Sequence, residues 1–134
     1  MISYTEIVQD FVKKIADKEI EIYNEFSLQH ELGIFLRTRE EFASMKIQFE
    51  RPISFFEKTK DNFIKKEIDI VVFSEKEKEA VFELKFPRNG QHPEQMFSFC
   101  KDIRFCEQLK EQVSFKSSYF LVFVDDRRFY EGKQ

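Results

Sequence analysis

Two stretches decide the fold of this chain: Glu67-Ile-Asp-Ile-Val-Val-Phe73 and Ala80-Val-Phe-Glu-Leu-Lys-Phe86. Both read as strands, and the charged run Ser74-Glu-Lys-Glu-Lys-Glu79 between them reads as the wet tip of a hairpin. Successive side chains on a strand point to opposite faces, so Glu83 and Lys85 share a face. If the hairpin pairs, Asp69 from the first strand joins them on one small patch. Two carboxylates beside an ammonium suit a divalent cation, a water and a phosphate.

Each of these residues also has a plain structural reading. Val81, Glu83 and Lys85 alternate with Ala80, Phe82, Leu84 and Phe86, as on a half-exposed strand whose polar face is solvated. Asp69 is less easily dismissed, because its strand is otherwise apolar on both faces and an unpaired buried charge costs several kcal/mol. It sits at the strand's entry, pairs with a lysine, or binds a cation.

Working outward, 134 residues predict one domain with a single core. Hydrophobic residues make up 42 %, and eighteen phenylalanines with no tryptophan predict a Phe-rich interior. Lys plus Arg (22) nearly balance Asp plus Glu (25), so the net charge of -3 exerts no global pull on nucleic acid. A local basic rim or bound metal can still dominate a site. The sequence has no apolar run near the roughly 20 residues of a membrane span, and its start does not read as a signal peptide. Cys100 and Cys106 fall on different faces of a predicted helix and read as reduced, mostly buried thiols of a cytoplasmic protein.

Helical spacing over Ser3 to Lys18 predicts a first helix. Ile20 to Tyr23 reads as a short strand or a connector. Asn24 or Ser27 opens a second helix to about Arg39, with Leu28, Leu32, Phe35 and Leu36 as its stripe. Glu31 lies on that stripe, either at its edge or aimed into a polar pocket. Met45 to Phe55 reads as a strand interrupted by Pro52, and Thr59 to Asn62 as a polar turn. The loop Pro87 to Pro93 leads into a long helix, about Glu94 to Val113, with Met96, Phe97, Cys100, Ile103, Phe105 or Cys106, and Leu109 expected inward. Gln95, in its first turn, is a surface amide or one returned toward Lys85. Tyr119 to Val124 reads as a strand buried on both faces.

This order of elements, with Asp69 and Glu83-Leu84-Lys85 in register, resembles the PD-(D/E)xK nuclease superfamily. The resemblance spans roughly residues 26 to 124. It implies an α/β, restriction-endonuclease-like core, α-β-β-β-α-β, with a central mixed sheet flanked by helices. Residues 1–23 would be an N-terminal helical extension and 24–124 the core, with C-terminal elements of longer relatives absent or cut away. Ile68 stands where many members have proline.

The resemblance implies a metal-dependent endo- or exonuclease acting on DNA, with Mg²⁺ or Mn²⁺ as cofactor and a homodimer as one arrangement. Asp69, Glu83, the Leu84 carbonyl and Glu31 would hold the metal. Lys85 would polarise the attacking water, and Gln95 would orient Lys85 or contact the substrate backbone. Arg88, His92 and Lys66 are candidate substrate contacts; Lys58, Lys60, Lys65, Arg127 and Arg128 are weaker ones. The alternative is a nuclease-like fold kept as a nucleic-acid- or protein-binding module without cleavage. His30 and the two cysteines lack the partners that nucleophilic catalysis needs.

Overall fold

The hairpin forms the centre of the molecule. A computed structural model describes residues 2–58, 62–87 and 92–124, with the backbone alone for 92–95. In chain order the elements are helices α1 (Tyr4–Ala16) and α2 (Glu25–Arg37), strands β1 (Lys46–Pro52), β2 (Glu67–Phe73) and β3 (Lys78–Lys85), helix α3 (His92–Gln112) and strand β4 (Ser117–Val122). Among the described residues the strands form one sheet, ordered β1-β2-β3-β4. Its β1–β2 and β2–β3 pairs are antiparallel and its β3–β4 pair is parallel. The chain is therefore α/β with an open mixed sheet. Antiparallel neighbours need only short links, whereas the parallel pair needs the α3 crossover.

Ser3 and Asn24 cap the first two helices. The Ser3 hydroxyl accepts from the Glu6 N–H. Asn24 and Ser27 form a reciprocal capping box, each side chain accepting from the other's backbone N–H. Ile20 to Tyr23 is a connector. Pro52 ends β1, and a single 3₁₀ turn, Ile53–Phe55, follows it. Part of the predicted Thr59–Asn62 turn lies outside the described residues.

The sheet is covered on both sides. Helices α1 and α2 bury Ile7, Phe11, Leu28, Leu32, Phe35 and Leu36 against Ile70, Val72, Phe82 and Leu84. On the other side, Phe105 and Leu109 of α3, with Val113 just after it, pack against Val71, Phe73 and Val81. No helix among the described residues is long and apolar enough to cross a membrane.

Several sequence expectations are corrected here. β3 is not half-exposed: residues 79–84 are buried throughout, because α3 covers the face that carries Glu83. The charged connection is shorter than expected, and Glu79 belongs to β3, where its buried carboxylate accepts from the Tyr4 hydroxyl at 2.7 Å. β4 is half-buried, since it ends the described sheet with a neighbour on one side alone. α3 is rotated from the expected setting. Phe97 is 70 % exposed and Met96, Cys100 and Ile103 are exposed too, while Asp102, Phe105, Cys106, Gln108 and Leu109 face inward.

The capping box fixes where α2 starts, and so where its first-turn side chains point. Replacing Asn24 with alanine is expected to cost about 1 kcal/mol, read as a lowered urea midpoint with an unchanged m-value.

Candidate active site

The β2–β3 ladder ends at the pair Ile70 and Phe82. One step beyond it, Asp69 and Glu83 stand opposite each other with their carboxylates doing the work of the missing ladder bonds. The Asp69 N–H donates to Glu83 Oε2 at 2.9 Å, and the Leu84 N–H donates to Asp69 Oδ2 at 2.8 Å. Buried backbone donors must find a partner, and these two find it in the acids.

The balancing charge comes from a residue that the motif does not contain. Lys65, on the segment entering β2, donates to Glu83 Oε1 and lies 3.4 Å from Asp69 Oδ1. Its ammonium also stands 5.6 Å from the centre of the Phe105 ring. Gln108 of α3 holds this segment in place, accepting from the Ile64 N–H at 3.0 Å and donating to the Asn62 carbonyl at 3.2 Å.

Lys85 lies on the same face as Glu83, but its ammonium is 3.1 Å from Asp102 Oδ2 on α3. Asp102 is buried, and that oxygen lacks hydrogen-bond geometry to any partner among the described residues. The sequence did carry a signal for Asp102. It sits three, four and seven residues before Phe105, Cys106 and Leu109, on the buried stripe of α3.

On its other side Asp69 faces a cavity of about 300 Å³ lined by Glu25, Phe26, Gln29, Glu50 and Leu84. The Gln29 amide donates to the Asp69 carbonyl at 2.7 Å and to Glu50 Oε2 at 3.3 Å. Glu50 adopts φ 56, a left-handed conformation uncommon outside glycine, at the β1 position facing Asp69. Glu25 Oε1 accepts from the Phe86 N–H at 3.3 Å. A strand residue's N–H and C=O leave by the same edge, so the Leu84 carbonyl also faces the Asp69 side.

Of the expected site residues, Asp69, Glu83 and Leu84 come together. Glu31 does not join them: it is half-buried and does not line the cavity, and the α2 acid that does is Glu25. Six residues turn a helix by about 600°, which sets Glu31 some 120° away from Glu25. The side chains of Gln95 and His92 lie outside the described residues, as do Arg88, Lys60, Arg127 and Arg128. Lys66 is exposed beside a second cavity, next to Lys65. His30 and Lys58 are exposed. Burial, then the nearby Glu83 and Asp102 charges, pushes the Cys106 thiol up to about 12, which suits no nucleophile.

The electrostatics match the crowding. Burial first and the Asp69 charge second push the Glu83 carboxyl up to about 8, against the pull of Lys65. Burial also raises Asp69, opposed by Lys65 and with Glu50 adding to the rise. Burial raises Glu25 too, with Lys85 opposing and Asp69 adding. Desolvation alone would lower Lys65, but the Glu83 and Asp69 carboxylates outweigh it and hold its ammonium above the usual range. Among the described residues no three His, Cys, Asp or Glu side chains are already gathered as a metal centre.

Comparison of the chain with protein-family models, with curated proteins and with solved structures finds no significant match.

The Glu83 shift has a definite sign in stability. A carboxyl raised from 4.5 to about 8 on folding binds more protons in the native state across that window. Its contribution is full below pH 4.5 and is lost as the pH rises through about 8. The melting temperature is expected to rise as pH is lowered from about 8 to about 5, and Glu83→Gln is expected to flatten that slope in calorimetric scans.

Proposed function

We propose that this chain is a metal-dependent nuclease that hydrolyses phosphodiester bonds of DNA. The observation that carries this reading is the meeting of Asp69 and Glu83 where β2 and β3 part, beside a cavity with further acids. Asp69 thus stands at the cavity, with Glu83 buried just behind it.

The donor set fits a hard divalent cation. Asp69 and Glu83 are carboxylates with raised proton affinity, and Leu84 and Glu25 line the cavity that Asp69 faces. Mg²⁺ prefers such oxygen ligands, keeps several waters, and relieves the crowding that otherwise favours protonation. Asp69, Glu83 and the Leu84 carbonyl would hold it, with Glu25 reaching it through water across the cavity. A bound Mg²⁺ or Mn²⁺ supplies Lewis acidity toward the phosphoryl oxygen and a more acidic water.

The remaining roles fall to the chain itself. Lys85 offers an ammonium group to the negative phosphate. Asp102 fixes the direction of the Lys85 side chain, and Gln29 fixes the Asp69 backbone and the Glu50 carboxylate. Phe105 and its neighbours on α3 keep one side of the carboxylate pair dry, which strengthens each charge interaction there.

A second reading, a nuclease-like binding module without cleavage, has its own supporting observation. Lys65 already bridges the two acids, and Lys85 is engaged by Asp102, so the charges are largely balanced internally.

Plasmid nicking and single-strand cleavage in Mg²⁺ or Mn²⁺ separate the two. The nuclease is expected to cut with metal, to lose cutting in Asp69→Ala, and to fall about 10- to 100-fold in Glu25→Ala while Glu31→Ala stays near wild type. Cleavage that survives Asp69→Ala removes this site from the reaction. Absence of both cleavage and Mn²⁺ binding leaves the binding module.

A further inference from the structure

Lys65 occupies the ground between the two carboxylates that a shared divalent cation needs. It donates to Glu83 Oε1 and lies 3.4 Å from Asp69 Oδ1. An ammonium and a metal ion in contact with the same oxygens repel each other at short range in a partly desolvated site. The two therefore exclude each other.

The surroundings provide for the exchange. Gln108 anchors the backbone at Asn62 and Ile64, so that segment can stay while the flexible four-carbon side chain of Lys65 swings. Lys65 and its neighbour Lys66 also line a cavity of about 380 Å³, together with the polar side chains of Ser54, Asn62 and Glu67. These supply a hydroxyl, an amide and a carboxylate, all able to accept from a displaced ammonium.

We propose that Lys65 is the resident cation of the Asp69–Glu83 pair, and that divalent metal enters by displacing it into the neighbouring cavity. Lys65 is thereby a gate that raises the metal concentration at which the site loads. The inference rests on the metal-site reading given above and adds its regulation. Once both carboxylates are ionised, one ammonium leaves them a net charge of one minus, whereas a divalent ion in its place leaves them neutral. The exchange is thus favourable once the metal is abundant and unfavourable when it is scarce.

Calorimetric titration with Mn²⁺ tests this on the whole chain. Lys65→Met is expected to bind Mn²⁺ at least about tenfold tighter than wild type, a change of about 1.4 kcal/mol. Lys110→Met, an exposed control of equal charge change, is expected to match wild type. Unchanged or weaker binding by folded Lys65→Met overturns the gate. Should Lys65→Met fail to fold with Glu83 left unbalanced, wild type carries the test through its lysine ammonium NMR signals, assigned with Lys65→Arg. The Lys65 signal is expected to move as Mg²⁺ is added; a signal unmoved up to tens of millimolar overturns the proposal. Tighter Mn²⁺ binding without cleavage by any variant keeps the gate and rejects the nuclease. Cleavage that depends on Asp69, with unchanged Mn²⁺ affinity in Lys65→Met, does the reverse.

Discussion

Two carboxylates meet where the central strands separate, and both are taken largely out of water. Glu83 is fully buried and Asp69 is partly buried. Such a pair is costly unless each oxygen finds a donor or a counter-charge. Much of the surrounding structure meets that demand. The amides of Asp69 and Leu84, released by the end of the ladder, turn to the acids, and the segment entering β2 delivers Lys65. α3 holds that segment through Gln108, and brings Phe105 over the ammonium and Asp102 to Lys85.

The same demand explains what the sequence made legible. β2 could be read because its apolar run is continuous, and Asp69 stood out against it. Glu83 and Lys85 could be placed on one face by alternation alone. Asn24 or Ser27 marked the start of α2, because a short polar side chain before an apolar stripe has a mechanism as a cap; the fold makes Asn24 the cap and Ser27 its partner. These are local patterns, and each survives in the fold.

What the sequence hid depends on contacts between distant segments. Glu31 matched the helix stripe, but the helix's phase over the sheet brings Glu25 to Asp69 instead. Lys65 sat among Lys58, Lys60, Asp61 and Lys66 as one charge of many; its selection comes from the approach of Glu83, eighteen residues on. On α3, apolarity favoured Met96, Phe97 and Ile103, whereas the buried face includes Asp102 and Gln108, each needed by a partner elsewhere. Polar residues that serve a buried network break the hydrophobic pattern from which a helix face is read.

The balance of 22 basic and 25 acidic residues says little about this place, where charge is arranged rather than summed. Three acids, Glu25, Glu50 and Asp69, share one cavity, and Glu83 lies just behind it with Lys65. That concentration of oxygen donors is the basis of the account. Its most direct test is a crystal of the protein soaked in Mn²⁺ and measured for anomalous scattering. The account predicts a peak in direct coordination with the Asp69 carboxylate, with Lys65 turned away from Glu83. A saturating soak that leaves Asp69 without a peak, and Lys65 still paired to Glu83, would contradict it.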